Sequence, residues 1–197
     1  MIKEAIGKLM FAATGWGYEV EGELPDAAVY VTGQHTSLWE GYLSIAFTLC
    51  NPSIKPTMLI AKEYFREPLG SVLRFFGAVP VDRKKPGDLM QSILAEASRH
   101  PKIGIGFCPE GTRRKVSGWK KGFYNLAKEM SLPILFADWD PKDKKLKIYK
   151  KIEDASEFTF EQVMSVAKEF YSTRTGIHSE KASPIRYYKA KDEHNKD

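Results

Sequence analysis

Apolar residues recur in this chain at two periods. Ile2, Ala5, Ile6, Leu9 and Met10 are spaced by three and four, which puts them on one stripe of an amphipathic helix. Lys3 and Lys8 lie off that stripe. Two uses of it stay open: packing on its own domain, or lying in a membrane interface as basic amphipathic helices do. Shorter runs follow. Residues 18–22 alternate, Glu23-Leu-Pro-Asp26 turns, and 27–32 read as a buried strand ending at Gly33. Further strands are expected at 57–61, 78–81, 103–107, 133–137 and 145–149, and helices at about 37–49, 68–76, 88–99, 118–130 and 158–171. Strands alternating with helices predict an α/β sandwich.

Length and composition narrow this. With 197 residues, 43% of them hydrophobic, the chain is one domain that buries about 70% of its unfolded surface, so it needs no staples. Apolar stretches such as 43–50 fall well short of the roughly 20 residues that span a bilayer. Cys50 and Cys108 make neither a disulfide framework nor a zinc site. Residues 1–15 lack signal-peptide character, so a cytoplasmic location is expected. The chain divides into a helix at 1–15, a domain at 16–175 and a polar, mobile tail at 176–197. Lys plus Arg exceed Asp plus Glu by 30 to 25. The basic residues cluster at 83–85, at 113–115 with Lys120 and Lys121, and at 142–151. Lysines of the last cluster alternate on a strand as a solvated face does, and no nucleic-acid motif accompanies them. Nucleic acid is therefore not an expected partner.

Three strand ends carry chemistry. His35 follows a strand and a glycine, with Glu40 five residues on; such a pair can act as a general base whose imidazolium the acid stabilises. Ser37-Leu-Trp-Glu40 also reads as a capping box, and the two roles are compatible. Pro109-Glu110-Gly111-Thr112-Arg113 offers a turn-permitting glycine, a hydroxyl and a guanidinium suited to bidentate phosphate binding, with Glu110 able to orient either group. Gly77-Ala-Val-Pro-Val-Asp82-Arg83 delivers a second arginine. Together they describe a pocket for a phosphorylated substrate bearing a hydroxyl. Cys108 invites a covalent reading, but a buried inert thiol fits its setting better. His100, His178 and His194 belong to no constellation.

His35-Thr-Ser-Leu-Trp-Glu40, residues 77–83, Phe107-Cys-Pro-Glu-Gly-Thr-Arg113 and Leu132-Pro133-Ile134 resemble, in order and rough spacing, the four motif blocks of the glycerolipid acyltransferases, typified by lysophosphatidic acid acyltransferase. Gly118-Trp-Lys-Lys-Gly-Phe-Tyr124 is similar to a compact bacterial subgroup. The resemblance implies an α/β domain with a mixed sheet covered by helices. It implies His35 as the base oriented by Glu40, where the family acid is usually aspartate. It also implies Arg83, Glu110, Gly111, Thr112 and Arg113 as acceptor-phosphate residues, and Pro133 as a donor-site residue. Gln34 stands where the family often has asparagine.

The implied reaction is acyl transfer from acyl-CoA or acyl carrier protein to a lysophospholipid-type acceptor, with 1-acylglycerol-3-phosphate the family default. Another lipid acceptor, or an inactive lipid-binding module, is the alternative. No cofactor beyond the thioester is implied. The implied setting is the inner face of the cell membrane, where the protein docks peripherally on anionic lipid.

Overall fold

A computed structural model of the chain describes residues 2–82 and 86–188. In chain order the elements are α1 (Ile2–Thr14), β1 (Gly17–Val20), β2 (Ala27–Thr32), α2 (Trp39–Cys50), β3 (Lys55–Ala61), α3 (Leu69–Phe75), β4 (Ala78–Val81) and α4 (Pro86–Arg99), followed by β5 (Ile103–Phe107), α5 (Gly122–Glu129), β6 (Ile134–Asp140), β7 (Lys145–Ile152) and α6 (Phe160–Tyr171). All seven strands join one sheet in the order β1-β7-β6-β2-β5-β3-β4. The pairings from β6 through β2, β5 and β3 to β4 are parallel. β7 runs antiparallel to β6 and parallel to β1. The chain is thus an α/β domain with a mixed sheet flanked by helices.

Both faces of the central strands are covered, which explains their uninterrupted apolar runs. Val29 and Val31 of β2 and Ile134 and Phe136 of β6 pack with Ile93 of α4, Phe123 of α5 and Val163 of α6. The alternate residues, Ala28, Tyr30, Leu135 and Ala137, pack with Phe11 of α1 and Leu43 and Ala46 of α2. Next to the edge strand β1, β7 buries Leu146 and Ile148 on one face and Ile152 on the other. Between these positions, Lys145 pairs with Glu19, and Lys147 with Asp140 and Asp143.

Three departures from the sequence reading have physical causes. α1 packs on α2 through Gly7 and Phe11, and of its predicted stripe only Met10 is packed inward. At Gly7 a Cβ would lie 2.7 Å from the Ala46 carbonyl oxygen, so only glycine permits this approach. Ile2, Ile6 and Leu9 remain exposed, Ile2 at 79% and Leu9 at 68%. Second, α5 starts at Gly122 and not at 118. The Trp119 N–H donates to the Arg186 carbonyl at 2.7 Å and its carbonyl accepts from Tyr188 N at 2.8 Å, which makes that stretch extended. Third, residues 176–188, read as the start of a mobile tail, run back over the sheet edge and are hydrogen-bonded there. No described helix is long and apolar enough to cross a membrane.

Candidate active site

Because β2, β5, β3 and β4 are parallel, their carboxyl ends emerge along one sheet edge, where open α/β sheets bind ligands. β2 runs into Gly33, Gln34 and His35. A Cβ on Gly33 would lie 2.5 Å from the Trp119 ring and 2.8 Å from that of Tyr171. The chain can therefore turn here only without a side chain. Gln34 follows with φ 59°, a left-handed conformation that non-glycine residues hold only when their surroundings demand it.

His35 is half-buried, and its Nδ1 lies 2.6 Å from Glu40 Oε2. With Nδ1–H donated to the carboxylate, Nε2 is the nitrogen left for proton transfer. The other carboxylate oxygen of Glu40 accepts from Thr36 N at 2.9 Å, Ser37 N at 2.8 Å and Thr36 Oγ1 at 3.2 Å. One buried side chain thus orients the imidazole and gathers the loop around it. The helix itself starts at Trp39, with Leu38 at its N-cap and no side-chain cap bond, so only half of the expected box forms: Glu40 returns to Ser37 N. Ser37 Oγ accepts from Trp39 N at 3.2 Å.

Cys108 is less deeply buried than the core thiol expected from the sequence. It is half-buried and free, its Sγ is 3.4 Å from Thr32 Oγ1, and it lies beside the His35 imidazole. Burial disfavours the charged imidazole, but the neighbouring Cys108 sulfur and the Glu40 carboxylate outweigh it and hold the His35 pKa above the ordinary histidine value.

The loop after β5 lies against the histidine loop. Gly111 turns at φ 65°, its N–H donating to Cys108 O at 3.0 Å. Thr112 Oγ1 accepts from Arg114 N at 3.3 Å. Arg113 Nη2 donates to Tyr64 Oη at 3.4 Å. Tyr64 lies on the short turn after β3 and belongs to no motif in the sequence. Beside it Lys62 joins Asp82, at the end of β4, at 2.5 Å.

Two site expectations take a different place. Glu110 is only 3% exposed, and its Oε1 accepts from Gln34 N at 2.7 Å; it braces the histidine loop from inside and does not face a substrate. Burial pushes its pKa up to about 7 against the N–H groups that favour the anion. Pro133 does not join the site. Its carbonyl accepts from Val29 N at 3.0 Å, and β6 runs parallel to β2 from there, so it sits at the strand-start end, where a residue without an N–H can enter the sheet. Arg83 and His194 lie outside the described residues. The His100 ring stands near Glu96, and that of His178 near Glu180.

Residues with no motif in the sequence hold this edge together from the C-terminal side. Gln34 Nε2 donates to Ser183 O at 3.2 Å, and Ser183 N donates to Gln34 Oε1 at 2.9 Å. His178 N donates to Thr36 Oγ1 at 3.0 Å. Serine and glycine at 183 and 176 give no signal on their own. Next to the pair, Trp39 stacks on Tyr42 at 4.9 Å, and Leu38 projects outward, 73% exposed.

A histidine held by a buried acid thus sits at the carboxyl end of β2, with the loop after β5 tied to it through Glu110 and Gln34. The family model described as Acyltransferase matches residues 19–136, more than half of the chain, a span that takes in His35, Glu40 and the 109–113 loop. No curated protein matches the sequence.

Proposed function

The chain belongs to the acyltransferase family, and from that premise we propose that it transfers a fatty acyl group from an acyl-CoA or acyl-carrier-protein thioester to a hydroxyl of a lysophospholipid-type acceptor, 1-acylglycerol-3-phosphate first among them. The observation that carries this reading is the 2.6 Å His35–Glu40 pair at the carboxyl end of β2.

Neutral His35 takes the acceptor hydroxyl proton on Nε2 as the oxygen attacks the thioester carbonyl. Positive charge develops on the imidazole where the Glu40 carboxylate already lies, so the acid lowers the barrier without moving. Collapse of the tetrahedral intermediate breaks the carbon–sulfur bond, and the departing thiolate recovers the proton from the imidazolium. A thioester is already activated, so this chemistry calls for neither a metal nor a covalent enzyme intermediate. Arg113, steadied by Tyr64, takes the acceptor phosphate.

Substrates of this kind reside in a membrane. The exposed Ile2, Ile6 and Leu9 of α1, flanked by Lys3 and Lys8, provide apolar insertion and attraction to anionic headgroups. Leu38 and Trp39, beside the His35–Glu40 pair, are exposed as well. The reading therefore places the protein peripherally on the inner face of the cell membrane.

An untargeted lipid comparison of cells with and without the protein tests the proposal. Accumulation of a phosphate-bearing lysolipid with loss of its diacyl product is expected. Unchanged lysolipid and diacyl pools would contradict it.

A further inference from the structure

The segment that follows α6 lies outside the matched family region and takes no part in the proton transfer described above, yet it reaches the base from two sides. We infer that residues 176–188 form a strap that fixes the catalytic loop, and that Gln34 is the positioning residue through which the strap sets His35. This inference rests on His35 being the base.

The residues on either side of His35 are both held by the strap. Before it, the Gln34 carboxamide makes a two-bond pairing with the peptide unit of Ser183, donating at 3.2 Å and accepting at 2.9 Å. After it, Thr36 Oγ1 accepts from His178 N at 3.0 Å. Gln34 is 6% exposed, so breaking the pairing leaves a buried amide unsatisfied. Gly176 turns at φ 68° so close to this loop that a Cβ would sit 2.3 Å from the Gln34 carbonyl oxygen.

The strap also grips the arginine loop. Val116 N donates to Ser183 Oγ at 3.1 Å, and Arg186 Nε donates to Ser117 O at 2.7 Å. Through Gln34 N, which donates to Glu110 at 2.7 Å, the two loops are tied to each other as well. Gln34 is therefore the point where the β2 loop, the β5 loop and the strap meet. Its left-handed backbone is the conformation expected of a residue over-determined by such contacts.

Gln34→Gly separates the clamp from the backbone, because glycine adopts the same φ without strain. In the full-length protein this variant is expected to lower kcat by about 10- to 100-fold, the scale of a displacement near 1 Å, with KM for both substrates nearly unchanged. The acid limb of its kcat–pH profile is expected to fall toward the ordinary histidine value, because His35 no longer sits squarely on Glu40. Gln34→Asn keeps the carboxamide and tolerates the same φ but is one methylene short; it is expected to lie between wild type and Gln34→Gly in both readouts, and it carries the test if the glycine variant does not fold. A wild-type kcat with an unmoved acid limb would overturn the inference, as would a rise in KM alone. The underlying reading fails separately: full activity in His35→Ala removes the base, whereas an inactive His35→Ala beside a fully active Gln34→Gly removes only the strap.

Discussion

At the scale of single residues, proton placement decides the chemistry. The raised pKa of His35 has Cys108 as well as Glu40 behind it. The base must be neutral to work, so activity is lost as pH falls through a value above the ordinary histidine pKa of about 6.5. Cys108→Ala should keep its activity and shift that limb of kcat/KM toward lower pH; an unmoved limb would dissociate the thiol from the base. Glu40→Gln removes negative charge where positive charge develops, while its remaining oxygen can still accept from Thr36 and Ser37 N–H. Transfer should fall by about 10²- to 10⁴-fold with little change in thermal midpoint, and full activity would reduce Glu40 to a loop brace. Glu40→Asp keeps the charge on a shorter arm and should lose activity only in part. Arg113→Ala should raise the acceptor KM by roughly 10- to 150-fold, the loss of a charge-assisted bond worth about 1.5–3 kcal/mol, with the donor KM unaffected. The His35–Glu40 pair was legible because both partners fall within six residues. The inward turn of Glu110 was not, because its partner Gln34 is 76 residues away and only the closed sheet brings them together.

At the scale of elements, apolar runs marked the central strands and alternation the outer ones, and β2, β4 and β5 have the limits the sequence predicts. What the pattern could not show was which neighbour each element would meet. Gly7 carries no side chain and so adds nothing to a hydrophobic stripe, yet it sets the face of α1 that docks on α2. This separates two effects that deletion of the helix would merge. Replacing Ile2, Ile6 and Leu9 together by serine should weaken binding to anionic vesicles and leave the thermal midpoint nearly unchanged, since these side chains are exposed. Gly7→Val should destabilise by about 1–3 kcal/mol, because its Cβ has no room beside Ala46 and Cys50. Unfolding of the triple-serine variant would return those residues to the core. The late start of α5 has the same kind of cause: Trp119 looks helical in its own neighbourhood and is drawn out by Arg186 and Tyr188.

At the scale of the whole molecule, the sheet edge is built around acids kept from water. Asp138 on β6 is buried, which pushes its pKa up to about 7 although Arg174 opposes this, and Glu110 is raised to about 7 in the same way. Each binds its proton more tightly folded than unfolded, so each favours the fold at low pH, and that contribution is lost as pH rises from about 4 through about 7. The thermal midpoint should therefore be higher at pH 5.5 than at pH 8. Asp138→Asn should flatten the difference, by about 2–4 °C for each kcal/mol involved; an unchanged slope would show that Asp138 is ionised throughout. The fold class was readable from the sequence because alternating strands and helices leave few arrangements. The closure of the edge by residues 176–188 was not, since polar residues at such a distance carry no periodic signal. The chemistry of the site turns on direct transfer with His35 as base. Single-turnover transfer from labelled acyl-CoA to lysophosphatidate in vesicles, with enzyme in excess, tests it most directly. The expected result is that label passes into the ester without accumulating on protein, and that His35→Ala slows this by about 10²- to 10⁴-fold while remaining folded. A wild-type rate in His35→Ala, or label on Cys108 that appears before the ester and drains into it, would contradict the claim.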